Sequence, residues 1–338
     1  MNILAVESSC DETAVAVVAD GRTILTDCIA SQVALHRIYG GVVPEIASRM
    51  HIEAIYGLAE QALEKANIKR SDIDAIAVTY APGLIGAVLT GVNFAKAAAL
   101  ALNKPLIPVH HIRGHIAANY LAYPELKPPF LCLVVSGGHT LIVDVKNYTH
   151  MEILGTTLDD AAGECFDKIA RVLGMPYPGG AALDAAAKSG DDTKYVLPRS
   201  KPGHNPLDMS FSGLKTATLN LIHHAEQVGE ELDVNSLCAS FSAAVSDTLV
   251  PRVVAALEQT GYKKLAVAGG VAANNRIRND LHNATAVLGA ELFLPPLSLC
   301  GDNAAMIGAQ AYYEFLDGNL ADMSLNAYAT KSILGEKI

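Results

Sequence analysis

Three histidines fall within six residues of this chain and form its most chemically suggestive cluster. His110, His111 and His115 belong to the segment HHIRGH, whereas the whole sequence contains 11 histidines in 338 residues. His111 and His115 are four positions apart, which places two imidazoles on one face of a helix and within reach of one metal ion. Solvated or hydrogen-bonded structural histidines remain the alternative interpretation.

A metal site at these histidines would differ from that of a zinc protease. Ile112 stands where the HExxH motif has its glutamate, so the adjacent general base of that motif is missing. A carboxylate from elsewhere is needed to complete a set of two histidines and one carboxylate, which suits zinc or iron. Asp302 is the best candidate, because it is expected to open the last helix directly after Cys300-Gly301.

Two strand–turn–strand hairpins have polar tips that could contact a phosphate. The second tip contains Gly137 and Gly138, which allow the backbone to approach a ligand and to direct N–H groups at an anion. An ordinary turn is the alternative interpretation. The first tip contains Asp11 and Glu12, whose charges would repel a bare phosphate unless a metal, a basic partner or a catalytic role offsets them.

A third glycine-containing element, Gly269-Gly270, directly follows a predicted strand and opens a predicted helix. Glycines at such a place permit close contact with a flat ligand, and a helix N-terminus favours nearby negative charge. The element has neither the GxGxxG spacing of a dinucleotide fold nor the GxxxxGKS/T spacing of a P-loop. Tight packing between the strand and the helix explains the two glycines equally well.

The composition indicates a globular chain of about two domains. Hydrophobic residues make up 51% and charged residues 18% of the 338 positions, which supplies large apolar cores and excludes a disordered or fibrous chain. No run of about 18 apolar residues occurs, and the N-terminal segment lacks the basic flank of a signal peptide. Six scattered cysteines without a CxxC pair are typical of reduced thiols. These features predict a cytoplasmic protein with no membrane span.

The net charge of −10, from 25 basic and 35 acidic residues, opposes long-range attraction of a nucleic acid. A chain of this charge that handles nucleic acid needs a local basic patch or a partner that supplies the attraction. The basic residues that could form such a patch are Arg37, Arg49, Arg113, Arg199, Lys201 and Lys215.

One order of elements, three strands followed by helix, strand, helix and strand, is predicted twice along the chain. The predicted strands are 3–6, 13–18, 23–29, 73–79, 106–109, 130–135, 140–145, 152–157, 264–268 and 291–294. The predicted helices are 44–66, 86–102, 237–257, 272–288 and a closing helix at 302–315. The repeated order indicates an internal duplication, with a mixed sheet flanked by helices in each half.

A stretch rich in proline and glycine at about 175–232 interrupts the second copy. We interpret it as an insertion that lies over the cleft between two lobes. A solvated loop region is the alternative interpretation.

Nine short motifs along the chain resemble those of one known family. They are VESSCDET (6–13), GGVVPE (40–45), HHIRGH (110–115), VSGGHT (135–140), FDK (166–168), YPGG (177–180), SFSGLKT (210–216), AGGV (268–271) and DN (302–303). The series resembles the TsaD family, the tRNA N6-adenosine threonylcarbamoyltransferases once labelled glycoproteases, from residue 3 to about residue 310. Local departures are Ala181, where the family often has proline, and Gly301, where threonine is common.

The resemblance implies an α/β fold of the actin/Hsp70/hexokinase (ASKHA) class, with two lobes that are each similar to ribonuclease H. The N-terminal lobe would comprise residues 1–127 and 303–338. The C-terminal lobe would comprise residues 128–302, including the insertion.

The resemblance also implies an acyltransferase. It would move the threonylcarbamoyl group of threonylcarbamoyl-AMP to N6 of adenosine 37, in tRNAs that read codons beginning with adenine, and release AMP. His111, His115 and Asp302 would bind one metal ion per subunit, iron or zinc. The residues implied to bind the adenylate are Val134, Val135, Ser136, Gly137, Gly138, Asp167, Gly180, Asp184 and Asn274. A TsaB paralogue and a TsaE ATPase are the implied protein partners.

The adenine amine is a poor nucleophile and needs an activated acyl donor, so we assign Asp11 or Glu12 to assist its deprotonation. One alternative is an ATPase or sugar kinase of the same fold, which leaves the histidine pair unexplained. A second is a non-catalytic scaffold similar to the paralogue, which the three candidate metal ligands disfavour. A metalloprotease, the historical label of the family, is disfavoured by the missing HExxH motif.

Overall fold

A computed structural model of the protein describes residues 1–201 and 203–334. Its strands form from runs of apolar, often β-branched residues between short polar turns. The strands are β1 (Asn2–Glu7), β2 (Glu12–Ala19), β3 (Thr23–Ser31), β4 (Ala75–Ala81), β5 (Leu106–His110), β6 (Phe130–Val135), β7 (Thr140–Val145), β8 (Met151–Thr156), β9 (Lys264–Ala268) and β10 (Glu291–Phe293). The α-helices are α1 (Val33–His36), α2 (Pro44–Ala66), α3 (Ile85–Leu102), α4 (His111–Ala122), α5 (Ala162–Val172), α6 (Gly179–Ala187), α7 (Ser212–Val228), α8 (Val234–Thr260), α9 (Asn275–Leu288) and α10 (Ala304–Leu316). Pro202 of the predicted insertion and residues 335–338 of the predicted N-terminal lobe lie outside the described residues.

The chain divides into two units, each built around a five-stranded sheet. Unit 1 comprises Met1–Pro128, Val145–Glu152 and Pro295–Ile338. Unit 2 comprises Pro129–Asp144 and Ile153–Leu294. The candidate metal ligands and the two candidate bases therefore belong to unit 1, and the residues implied to bind the adenylate belong to unit 2.

The sheet of unit 1 is mixed, with the order β3-β2-β1-β4-β5. β2 is antiparallel to β1 and to β3, whereas β4 is parallel to both β1 and β5. Alternate residues of β1 enter separate cores: Leu4 packs with residues of α2 and α3, and Ile3 and Ala5 pack with residues of α10. Because helices cover both faces, the central strands are continuous apolar runs.

The sheet of unit 2 has the order β8-β7-β6-β9-β10 when it is read from the β8 edge. This order repeats that of unit 1, with β6 in the place of β1 and β9 in the place of β4. β9 is parallel to β6 and to β10, as β4 is to β1 and β5. The duplicated plan predicted from the order of elements is thus present in the topology.

Several helices of unit 2 are absent from the sequence prediction. α5 was not predicted, and α6 and α7 lie inside the stretch interpreted as an irregular insertion. Part of the glycine and proline signal lies at helix starts: Gly179 follows Pro178 and is the first residue of α6, and Gly213 is in the first turn of α7. Gly and Pro punctuate chains at helix ends as well as in loops, so the signal did not exclude helices.

Two predicted helix starts were too early. The helix expected at 272–288 begins at Asn275, because Asn274 is its N-cap and its side chain accepts a hydrogen bond from the Ile277 N–H at 3.1 Å. The last helix begins at Ala304, with Asn303 as N-cap, so Asp302 precedes the helix and does not open it. From this position before α10, the Asp302 side chain reaches the histidines of α4.

Two helices, α3 and α8, are long and apolar enough to cross a membrane by length and composition. Of their most apolar windows, 33% and 78% of the residues are buried inside the protein. Core helices of globular proteins pass the same test, so these helices are weak evidence for a membrane span. The predicted cytoplasmic location stays a prediction.

Candidate functional site

The structure brings the three predicted metal ligands of unit 1 together. α4 begins directly after β5, so His111 and His115 lie one turn apart with their ring centroids 4.6 Å from each other. Asp302 Oδ1 lies 3.5 Å from His111 Nε2 and 3.2 Å from His115 Nε2. One ligand atom from each residue lies within 4.8 Å of the others. These distances fit simultaneous coordination of one ion.

The burial of His115 supports a metal ligand over a structural histidine. The residue is 1% exposed. Its Nδ1 has no hydrogen-bond partner in the described part of the chain, and its Nε2 has only the Asp302 carboxylate, 3.2 Å away. Buried polar atoms without partners are costly, and native structures rarely leave them so. Two imidazole nitrogens and a carboxylate oxygen are a donor set that zinc or iron accepts. The residues present therefore fit a divalent metal ion.

The charges around His111 also favour a cation. Burial lowers the pKa of His111, but the carboxylates of Glu7 and Asp302 outweigh that effect and raise the pKa to about 9. Glu7, which the sequence analysis did not single out, lies with its Oε2 2.9 Å from His111 Nδ1. Its place at the end of an apolar strand was the signal that could have found it, since a carboxylate there is buried only with partners.

The two candidate bases lie at the start of β2 in the same unit. Asp11 is buried and Glu12 is half-buried, and Ser31 Oγ donates to Glu12 Oε1 at 3.0 Å. Burial and then the negative charge of Asp11 raise the pKa of Glu12 to about 9, with a smaller contribution from Asp302. A carboxyl with so high a pKa keeps its proton near neutral pH, so Glu12 accepts a proton only after it has ionised.

Two glycines of unit 2 allow neighbouring elements to pack closely against the end of β6. A Cβ at Gly163, in the first turn of α5, would lie 2.4 Å from the Ser136 carbonyl oxygen. A Cβ at Gly269 would lie 2.5 Å from the Val135 carbonyl oxygen. The Gly137 and Gly138 tip thus lies beside the start of α5 and the turn after β9, and both glycines have open space around their Cα atoms. Open glycines at a tip leave backbone N–H groups accessible to an anion.

Three of the polar candidates of unit 2, Asp167, Asp184 and Asn274, contact the N-termini of helices. Asp167 Oδ1 accepts from the N–H groups of Gly179 and Gly180 at 2.8 and 3.3 Å, at the N-terminus of α6. Asp184 Oδ1 accepts from the Asn275 N–H at 3.0 Å, beside the N-cap residue Asn274. These contacts connect α5 to α6 and α6 to α9. Roles of these residues in ligand binding stay predictions.

The Gly269 turn gives a direct test of the packing in unit 2. Gly269 has φ +93°, a conformation that L side chains rarely adopt, and no space for a Cβ. We expect Gly269→Ala to lower the free energy of unfolding by about 3 kcal/mol. Gly270→Ala is the matched control, because a Cβ at Gly270 meets no atom within 4 Å. Equal stability of the two variants in urea denaturation would contradict this account.

Several predicted members of a basic patch are engaged in ion pairs. Arg113 is buried, with Nη1 3.0 Å from Glu314 Oε1 and Nη2 donating to the Ile333 carbonyl, so its assignment to a surface patch was wrong. The other paired bases are Arg49 with Glu45, Arg199 with Asp247 and Lys215 with Asp160. Lys201 and Arg37 are exposed. Four of the six residues predicted to form the patch thus have an acidic partner, which offsets their positive charge.

Comparison with known sequences identifies close relatives of the chain. The family model described as "TsaD: tRNA N6-adenosine threonylcarbamoyltransferase" matches residues 23–309. A protein named tRNA N6-adenosine threonylcarbamoyltransferase from Moorella thermoacetica is 53% identical over 326 residues, which cover 96% of this chain and 95% of the relative. A protein of the same name from Clostridium botulinum strain Hall is 50% identical over 337 residues, covering 100% of this chain and 99% of the relative.

Comparison with solved structures confirms the predicted fold class. HypF from T. kodakarensis aligns with a TM-score of 0.64 at 16% identity, over 96% of this chain and 49% of that chain. Component A of (R)-2-hydroxyglutaryl-CoA dehydratase from Acidaminococcus fermentans aligns with a TM-score of 0.53 at 15% identity, over 93% of this chain and 98% of that chain. At these identities the likeness shows the fold alone.

Proposed function

Since the chain belongs to the TsaD family of tRNA N6-adenosine threonylcarbamoyltransferases and is therefore a transferase that modifies tRNA, we propose its donor and its acceptor. The donor is threonylcarbamoyl-AMP, and the acceptor is N6 of adenosine 37 in tRNAs that read codons beginning with adenine. The observation that carries the proposal is the convergence of His111, His115 and Asp302.

The reaction follows from the reactivity of the two partners. The N6 amine attacks the carbamoyl carbon, a nitrogen–carbon bond forms, the bond from that carbon to the phosphate oxygen breaks, and AMP leaves. The amine must lose a proton in the process, and Asp11 or Glu12 accepts it. A zinc or iron ion, when bound by the three ligands, supplies Lewis acidity toward a carbonyl or phosphate oxygen.

Unit 2 supplies the contacts that we propose for the adenylate. The backbone N–H groups of the Gly137-Gly138 tip bind the phosphate, because the tip has no side chains to obstruct it. The other residues that we propose to contact the adenylate are Val134, Val135, Ser136, Asp167, Gly180, Asp184 and Asn274.

A transfer assay tests the proposal. The purified protein, alone and with a TsaB paralogue and a TsaE ATPase, is incubated with threonylcarbamoyl-AMP and tRNA that carries adenosine at position 37. We expect modified adenosine and AMP in equal amounts, and no product with tRNA that carries another base at that position. ATP hydrolysis without tRNA, together with no transfer under any of these conditions, would favour the ATPase or kinase alternative.

Exposed apolar side chains support a protein partner such as the proposed paralogue. Ile52 and Tyr56 on α2 are 65% and 61% exposed, and Ile85 and Leu89 on the adjacent α3 are 53% and 40% exposed. Each pair is four residues apart, so its members lie on one face of their helix. Clustered apolar side chains on a surface are typical of interaction sites. The ATPase partner rests on the family resemblance.

Binding of tRNA should depend on salt despite the negative net charge. Each phosphate neutralised by a basic residue contributes about 0.7–0.9 to the slope of log affinity against log salt concentration. We expect Arg37→Gln to reduce this slope by about 1 relative to the parent protein. Arg70→Gln is the control, because Arg70 is a surface residue paired with Glu60. An affinity that does not change with salt would contradict a local basic path.

A further inference from the structure

Glu7 connects β1 to the candidate metal centre and is itself wholly buried. Both of its carboxylate oxygens are engaged. Oε1 accepts from the Ser9 N–H at 2.6 Å, and Oε2 accepts from Thr79 Oγ1 at 2.6 Å and contacts His111 Nδ1 at 2.9 Å. The Ser9 and Thr79 contacts hold the carboxylate in one orientation, because a strand end and its neighbouring strand supply both donors.

This arrangement fixes which nitrogen of His111 carries the proton. A carboxylate accepts hydrogen bonds, so in the neutral, metal-binding form of the imidazole Nδ1 is the N–H donor to Glu7, and the lone pair is on Nε2. Ser9 Oγ, 3.2 Å from the same Nδ1, then accepts from it as well. Nε2 is the atom that lies 3.5 Å from Asp302 Oδ1. The free lone pair therefore belongs to the nitrogen nearest the third ligand.

His51, another buried histidine of unit 1, has no carboxylate hydrogen-bonded to its ring and so differs from His111. His51 Nδ1 lies 2.7 Å from Thr13 Oγ1, and His51 Nε2 lies 2.9 Å from the Cys10 carbonyl oxygen. Both of its nitrogens contact hydroxyl, amide or carbonyl groups of the protein, and none of these contacts is to a carboxylate. His111 alone of these two combines a carboxylate on one nitrogen with a ligand atom at the other.

From this geometry we propose that Glu7 is a positioning residue for the metal: it holds the His111 ring and its tautomer so that Nε2 is ready to coordinate. The inference rests on the proposed metal site but not on the identity of the acyl donor. Carboxylates behind metal-binding histidines typically strengthen metal affinity by about 10- to 100-fold.

Glu7→Gln and Thr79→Val separate positioning from simple structural support. Glutamine has one acceptor oxygen, so it cannot accept from Ser9 on one side and from His111 on the other. Thr79→Val removes a donor to the same carboxylate but leaves the His111 contact. Both variants disturb the same buried network, whereas only the first removes the acceptor from Nδ1.

The experiment measures Zn²⁺ affinity of the metal-free full-length proteins by competition with a chromophoric chelator, alongside their urea denaturation. We expect Glu7→Gln to bind Zn²⁺ about 10- to 100-fold more weakly than the parent protein, and Thr79→Val to bind within about 3-fold of it. Glu7→Asp keeps the negative charge on a side chain shorter by one methylene, and we expect its Zn²⁺ affinity to lie between those of Glu7→Gln and the parent protein. This variant also keeps the test valid if Glu7→Gln does not fold.

Three outcomes would overturn the inference. Unchanged Zn²⁺ affinity in Glu7→Gln, or equal losses in Glu7→Gln and Thr79→Val, would make Glu7 a structural residue. A parent protein that binds no Zn²⁺ or Fe²⁺ would remove the metal site itself. Failure of the proposed donor and acceptor is separate, because it appears in the transfer assay and leaves the metal affinities unchanged.

Discussion

His115→Leu is expected to abolish metal binding and transfer while leaving the metal-free protein at least as stable as its parent. His115 is buried. Among the residues that the structure describes, its Nδ1 has no hydrogen-bond partner, and its Nε2 contacts only the partly exposed Asp302 carboxylate. Leucine is of similar volume and removes the unpartnered Nδ1 from the interior, while Asp302 keeps its access to water, so the free energy of unfolding should rise by about 1 kcal/mol without metal. The metal-loaded parent gains stability from the ion, and the variant cannot.

The expected loss of transfer is large, because the ligand set would be incomplete. Metal ions contribute several kcal/mol of transition-state stabilisation, so we expect a loss of about 10³-fold in single-turnover transfer. The measurements are metal content, urea denaturation with and without Zn²⁺, and transfer to tRNA.

His51→Leu is the matched control for this substitution. His51 is equally buried, but both of its nitrogens contact protein groups, Thr13 Oγ1 and the Cys10 carbonyl oxygen. Its loss leaves these groups without their partner and should lower the free energy of unfolding by about 2 kcal/mol. The free energy of unfolding is thus expected to rise in His115→Leu and to fall in His51→Leu, and this difference distinguishes a metal ligand from a structural histidine. A His115→Leu protein as destabilised as His51→Leu would support the structural interpretation of the histidine cluster.

The rate of transfer is expected to rise with pH up to about 9 if Glu12 is the base. Burial and the charge of Asp11 raise the pKa of Glu12 to about 9, so the carboxyl is mostly protonated at neutral pH. A base must be ionised to accept the N6 proton. The rate should therefore increase about tenfold per pH unit below the pKa and become level above it. The measurement is single-turnover transfer between about pH 6 and about pH 9.5.

Asp11→Asn and Glu12→Gln identify which carboxyl is the base. Removing the charge of Asp11 lowers the pKa of Glu12, so in Asp11→Asn the level region should begin at a lower pH. Glu12→Gln should remove the rise with pH and slow transfer by about 10²- to 10⁴-fold. A slow Asp11→Asn protein together with a normally active Glu12→Gln protein would assign the role to Asp11 instead. Full activity in both variants would exclude this pair as the base.

Spacing along the chain identified part of the candidate metal centre. The four-position spacing of His111 and His115 predicts neighbouring imidazoles on any helix, and α4 provides that helix. Asp302 lies far along the sequence, and no local pattern connects it to the histidines. The placement of β5 and α10 in one unit brings it near them, so only the tertiary structure decided the convergence.

Glu7 and Arg113 show why burial could not be predicted at individual charged positions. Both are charged residues in recognisable motifs, and sequence patterns favour exposure for such residues. Glu7 is buried because a backbone N–H, a threonine and a histidine from three segments satisfy its oxygens. Arg113 is buried because Glu314 and the Ile333 carbonyl satisfy its guanidinium. These partners are distant in sequence, so local composition carries no information about them.

The sequence by itself determined the strands, most long helices, the repeated order of elements and the family. These features follow from short-range causes: alternation of apolar residues, helical spacing, turn residues and contiguous motifs. The tertiary structure alone decided which acids accompany the histidines, which bases are exposed and which glycines pack against a neighbouring strand. Those outcomes depend on burial, where a charged or polar group is tolerated only beside a partner that the fold brings to it.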